Sequence, residues 1–83
     1  MDRLDAMHMF VRVVETGSFT QVAREFATTQ PTVTKQVAAM EARLKVRLLN
    51  RNTRGVSLTE PGTLYYEKCK AIVSDVAEAE SVV

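Results

Sequence analysis

Between Ser18 and Leu44 the apolar residues hold two helical registers that meet across only three residues, Ala27, Thr28 and Thr29. Phe19, Val22, Ala23 and Phe26 line one side of a first helix, and Val33, Val37, Met40 and Leu44 follow at steps of four, three and four along a second. Ser18 with Gln21 matches a capping box, in which each side chain satisfies a backbone N–H left open at a helix start. The small Ala23 suits a close crossing by another helix. Either Thr28 or Thr29 can cap the second helix; Thr29 is favoured because Gln30 and Pro31 then fall in the first turn, where proline's missing N–H has no helical partner to lose.

The segments on either side complete the architecture. Leu4, Met7, Phe10, Val11 and Val14 predict a helix over 4–15, ended by Gly17. Leu48 and Leu49, then Asn52-Thr53-Arg54-Gly55, then Val56, Ser57 and Leu58 read as a short hairpin with Gly55 supplying a positive φ. Thr59, Glu60 and Pro61 open a last helix expected to run to the terminus. On it Tyr65, Cys69, Ile72, Val76, Ala79 and Val83 form a seam of the coiled-coil type. The stripe could close the domain's own core, but Val73 and Ala77 widen it beyond what a lone helix covers, which favours a partner helix. The expected fold class is all-α with a small β-hairpin wing: a winged helix-turn-helix over residues 1–59, with motif helices at about 18–26 and 30–44 and the wing at about 46–58. A linker and dimerisation helix over 60–83 follows.

Charge divides the chain more sharply than its formal net charge of +1 suggests. Residues 28–59 hold Lys35, Arg43, Lys45, Arg47, Arg51 and Arg54 against Glu41 alone, whereas the flanking segments are net acidic. A basic middle between acidic flanks is what a protein presenting one face to phosphates would show. One cysteine leaves no disulfide framework and no cysteine-based zinc site, and His8, the only histidine, reads as a surface residue of the first helix. No apolar run approaches the roughly 18 residues that would cross a bilayer, and acidic residues precede the first apolar stretch, so the chain reads as a cytoplasmic protein. No membrane partner and no metal are expected.

The second motif helix carries the candidate binding chemistry. Its outward face is Pro31, Lys35, Ala38 and Ala42 with Thr32 and Ala39 on one flank, small and nearly uncharged, which lets a helix sit deep in a groove. In a winged helix-turn-helix this helix enters the DNA major groove with its N-terminal residues at base edges. Gln30 can pair bidentately with adenine, Lys35 can donate to guanine, and Thr32 and Thr34 can meet thymine or phosphate. Pro31 is explained by backbone geometry, although its ring could pack on a thymine methyl. Arg54 at the hairpin tip suits a narrow minor groove. Arg47 and Arg51 are expected to clamp phosphates, which adds affinity without sequence information.

These residues also carry a family resemblance. Phe10-x-x-Val13-Val14-Glu15-x-Gly17-Ser18-Phe19-x-x-Val22-Ala23, then Gln30-Pro31-Thr32-Val33-Thr34-Lys35-Gln36-Val37-x-x-Met40-Glu41, then Val46-Arg47-Leu48-Leu49-x-Arg51 and Leu58-Thr59-x-x-Gly62 resemble the N-terminal DNA-binding domain of LysR-type transcriptional regulators. The resemblance implies that Gln30, Pro31, Thr34 and Lys35 meet the major groove, that Arg54 enters the minor groove, and that Ser18 and Thr32 lie near phosphates. It further implies an antiparallel pairing of the last helix in a dimer, which could become a tetramer in a full-length protein. An effector would bind a C-terminal domain that this sequence lacks, so no cofactor is expected here. Thr28, Lys45 and Thr34 depart from the family's usual apolar residue, glycine and serine. At Lys45 the helix is expected to end in a strained or extended turn. Ala38 and Ala39 replace basic residues common in the family and predict fewer phosphate contacts.

The function expected from the sequence is sequence-specific binding of double-stranded DNA, as a dimer on an inverted repeat. A winged-helix module for protein assembly is the alternative. An enzyme finds little support, because no carboxylate pair and no nucleophile beside a base can be named.

Overall fold

In a computed structural model, described here for residues 2–83, the chain forms α1 (Arg3–Thr16), α2 (Phe19–Glu25), α3 (Gln30–Leu44), β1 (Leu49–Asn52), β2 (Gly55–Leu58) and α4 (Glu60–Ser81). Each helix start has a polar side-chain cap. Asp2 accepts from the Asp5 N–H, Ser18 from Gln21, Thr29 from Thr32 and Thr59 from Gly62. The box at Ser18 is only half made: Gln21 turns its amide to Glu25, and the Ser18 N–H goes to Thr16 Oγ1 at 3.2 Å.

α1 and α3 end on left-handed residues. Gly17 adopts φ 68°, as expected for glycine there. Lys45 takes φ 58° and ψ 40° at the end of α3, so the strained turn is realised by a residue with a Cβ. Ala27, in the connector between α2 and α3, has φ 53°, which the sequence did not suggest. In the hairpin Asn52 pairs with Gly55, Thr53 and Arg54 make the turn, and Gly55 carries φ 126°.

The core joins Met9, Phe10 and Val13 of α1, Val22 of α2, Val33, Val37 and Met40 of α3, Leu48 and Leu49 at the wing root, and Cys69 of α4. Each such apolar side chain stabilises the fold by about 1.5–3 kcal/mol relative to exposure. α1 is central, packed against α2, α3 and α4. Two expected core residues lie at its edge instead: Leu4, in the first turn of α1, is 46 % exposed and Leu44, the last residue of α3, is 39 % exposed.

α4 starts where the wing ends and is fastened there. The Thr59 N–H donates to the Leu48 carbonyl at 3.0 Å, and its hydroxyl donates to the Arg47 carbonyl at 2.6 Å. Gly62 packs on the same strand, and a Cβ there would be driven into the Leu48 carbonyl oxygen. The wing root and the first turn of α4 are therefore joined by two hydrogen bonds and a close backbone contact.

Candidate nucleic-acid interface

Pro31, Lys35, Ala38, Ala39 and Ala42 are exposed along one face of α3 and Gln30 is exposed at its first residue, while Val33, Val37 and Met40 on the other face are buried. Fifteen residues make this helix roughly 22 Å long. Thr32 and Thr34 are half-buried at its flanks. The Thr32 hydroxyl is already paired with Thr29 Oγ1 at 3.0 Å, so one of its hydrogen-bonding positions serves the cap. Gln30 and Lys35 remain the most accessible polar groups of the first turns.

Electrostatics on this side are set by the fate of the acids. Glu41, the only acid among residues 28–59, accepts from the Leu48 N–H at 2.7 Å and the Leu49 N–H at 3.2 Å. Its charge is thus spent on the wing root, where those N–H groups would otherwise go unpaired. Sequence reasoning missed this role; the signal available was a single carboxylate in a basic segment. Glu15 of α1 and Glu25 of α2 are likewise occupied. Arg12 bridges Glu15 and Glu25, each at 2.9 Å, and the Tyr66 hydroxyl reaches Glu15 at 3.2 Å, tying α1, α2 and α4 together. This pairing lowers the Glu25 pKa. Among the described residues, none of Lys35, Arg43, Lys45, Arg47, Arg51 or Arg54 is paired with a carboxylate.

The basic residues take distinct postures. The Arg51 guanidinium lies over the Phe19 ring at 4.2 Å, which holds it beside Ser18 at the start of α2. Arg51 is thereby fixed on the side chain of the residue that follows Ser18. Arg47 is exposed and makes only a long bond to the Leu49 carbonyl at 3.4 Å. Arg54 projects at the hairpin tip, its backbone N–H held by Asn52 Oδ1 at 2.8 Å in an Asx turn.

The expected seam on α4 divides. Cys69 is fully buried in its own domain and Tyr65 packs on Phe10, ring centres 5.6 Å apart, so both serve the domain's own core. Cys69 as an interface residue is thereby corrected: α4 lies on α1 along that side. Burial also pushes the Cys69 thiol up, which leaves it protonated and unreactive. Ile72, Val76, Ala79 and Val83 remain exposed, joined by Leu64, 68 % exposed, which the seam reading omitted. His8, on the surface of α1 as expected, meets Phe26 edge-on.

Residues 4–63 match the model of the bacterial regulatory helix-turn-helix proteins of the lysR family. The chain belongs to that family. It is 43 % identical over 81 residues to an HTH-type transcriptional repressor of Pseudomonas aeruginosa, covering 98 % of this chain and 26 % of the relative. It is 41 % identical over 78 residues to the HTH-type transcriptional activator AaeR of Escherichia coli, covering 94 % and 25 %. The chain thus spans about a quarter of the length of these relatives. Among solved structures, the BenM DNA-binding domain in complex with catB site 1 DNA superposes with a TM-score of 0.89 at 33 % identity, covering 99 % of this chain and 91 % of that one. Full-length CbnR complexed with its target DNA superposes at 0.83 and 31 % identity, covering 98 % and 28 %. The winged helix-turn-helix architecture of this lysR-family chain is therefore that of DNA-bound relatives. One relative named a repressor and one named an activator share this domain, so the sign of regulation is not written in it. No helix among the described residues is long and apolar enough to cross a membrane.

Proposed function

We propose that this chain is the DNA-reading part of a bacterial transcriptional regulator, binding double-stranded DNA sequence-specifically as a dimer in the cytoplasm. α3 lies in the major groove with Gln30, Pro31, Thr34 and Lys35 at base edges and Thr32 at the flank, and the wing places Arg54 in the minor groove. Ser18, Arg47 and Arg51 hold phosphates on either side.

The observation that carries this reading is the exposed face of α3: small side chains that admit close approach, Gln30 and Lys35 at its N-terminal end, and no carboxylate to repel phosphate. The DNA complexes of BenM and CbnR, relatives of the same shape, support it. The experiment is selection of bound duplexes from a random pool, followed by competition with unselected DNA. Enrichment of an inverted repeat that resists such competition is the expected result. A chain displaced equally by any DNA, or one that retains no DNA, would be an assembly module instead.

A further inference from the structure

Glu41 acts at both ends of the short connector that joins α3 to the wing. Its backbone carbonyl accepts from the Lys45 N–H and, at 3.2 Å, from the Val46 N–H, which closes α3. One oxygen of its side chain, Oε2, accepts from the Leu48 N–H at 2.7 Å and from the Leu49 N–H at 3.2 Å, where β1 begins. Residues 45–48 between these anchors belong to no helix or strand, and they set out from the left-handed Lys45. Such a connector leaves the angle between α3 and the hairpin to other contacts. Burial of the Leu48 and Leu49 side chains seats the wing root in the core, and the Glu41 carboxylate is the polar tie from that root to α3 itself. The hairpin is a lever on this anchor. From Leu49 at the root to the Asn52–Gly55 pair at the tip, the strand rises roughly 10 Å at the usual spacing of a β-strand. A tilt of about 15° at the root would move Arg54 by about 3 Å, half the width of a minor groove.

Resting on the DNA reading above, we infer that Glu41 is a positioning residue for recognition: without touching DNA, it sets the spacing between the bases that face α3 and the minor-groove segment that receives Arg54. The chain thereby selects a fixed spacing in addition to base identity. The charge of Glu41 separates this role from a general electrostatic one. A carboxylate in a basic segment opposes phosphate, so its removal by itself tightens binding to any duplex. A wing that has lost its seat acts in the other direction, and only on the preferred site.

The test uses the 83-residue chain, sites selected from a random pool, and titrations of one selected and one unselected duplex at a single salt concentration. Glu41→Asp keeps the charge and shortens the reach by one methylene. It is expected to bind unselected DNA as the parent chain does and to lose roughly tenfold on the selected duplex. Its own selected sites should keep the bases facing α3 and lose the preference at the wing position. Glu41→Gln, which keeps an acceptor oxygen without the charge, is expected to bind unselected DNA more tightly while its ratio of selected to unselected affinity falls by roughly threefold. In an Arg54→Ala background Glu41→Asp should cost nothing further, because no minor-groove contact is left to misplace; a change acting through stability alone would cost the same in both backgrounds. Thermal unfolding establishes that each variant is folded at the assay temperature, and if Glu41→Asp is not, Glu41→Gln carries the same cycle. Unchanged sites and affinity in the folded variant, or an equal loss in the Arg54→Ala background, would overturn the inference and leave the DNA reading standing. Selected sites that do not change when Arg54 is replaced by alanine would overturn the minor-groove reading on which it rests.

Discussion

Lys45 offers a direct test of how α3 is ended. Its backbone sits at φ 58°, ψ 40°, and its N–H donates to the Glu41 carbonyl, as does that of Val46 at 3.2 Å. A residue with a Cβ in this region is strained by about 1–2 kcal/mol. Glycine removes the strain but costs about 0.5–1 kcal/mol in lost unfolded-state freedom. The net gain expected from Lys45→Gly is about 0.5–1 kcal/mol, or a rise in melting temperature of roughly 3–6 °C for a domain of this size. Lys45 is exposed and makes no ion pair, so little else is lost. Thermal unfolding followed by circular dichroism at fixed pH and salt reads the effect. Lys45→Ala separates strain from charge, since alanine keeps the Cβ and removes the ammonium group; it should give no gain. Ala27→Gly, at φ 53° and with no charge involved, should rise similarly. A fall in both glycine variants, or an equal rise in Lys45→Ala, would refute the argument from backbone strain.

Gly62→Ala should destabilise by about 2 kcal/mol: overpacking against the Leu48 backbone carbonyl, which no rotamer change can relieve, outweighs the helix propensity gained. Urea unfolding measures it, and a more stable variant would mean that α4 is not seated on the wing root. Lys35→Ala should flatten discrimination among DNA sequences, by about 1–3 kcal/mol at one base position. Arg47→Ala should instead weaken all sequences alike, and identical profiles in a binding-site selection would contradict these roles. If six basic side chains of the dimer neutralise phosphates, log K against log salt concentration should fall with a slope of about −5; titrations by fluorescence anisotropy would expose a salt-independent affinity. Glu25, whose pKa the Arg12 hydrogen bond lowers, binds protons more readily in the unfolded chain. Its contribution is complete above the ordinary glutamate range and is lost as pH falls through the lowered value, so Glu25→Gln should lower stability at neutral pH, converge with the parent chain in acid and so flatten the acid limb, as thermal unfolding at a series of pH values would read.

The periodic apolar residues and the polar caps made most of the fold legible. Ser18, Thr29 and Thr59 each cap the helix that follows, because a short polar side chain before an apolar stripe answers a local need of the backbone. The outward face of α3 was legible too, since burying Val33, Val37 and Met40 leaves Lys35 no other direction. Three features were not. Ala27 adopts a left-handed conformation because the packing of α2 on α3 demands it, against its own preference. Glu41 caps backbone groups seven and eight residues away, a contact that depends on where the wing root folds back. Arg51 settles on Phe19 across the molecule.

What the sequence determined by itself were the properties set within a turn or two of chain: where helices start, which face is apolar, where Gly17 and Gly55 release the backbone, and where positive charge accumulates. Tertiary structure alone decided how the stripe on α4 is shared. A heptad pattern states that a helix must be covered along one side but not by what. Once α1 lies against α4, Cys69 and half of Tyr65 are taken by the domain's own core. Ile72, Val76 and Leu64 stay exposed, because contact area on a helix is divided by the position of its neighbours in space and not by the order of its residues.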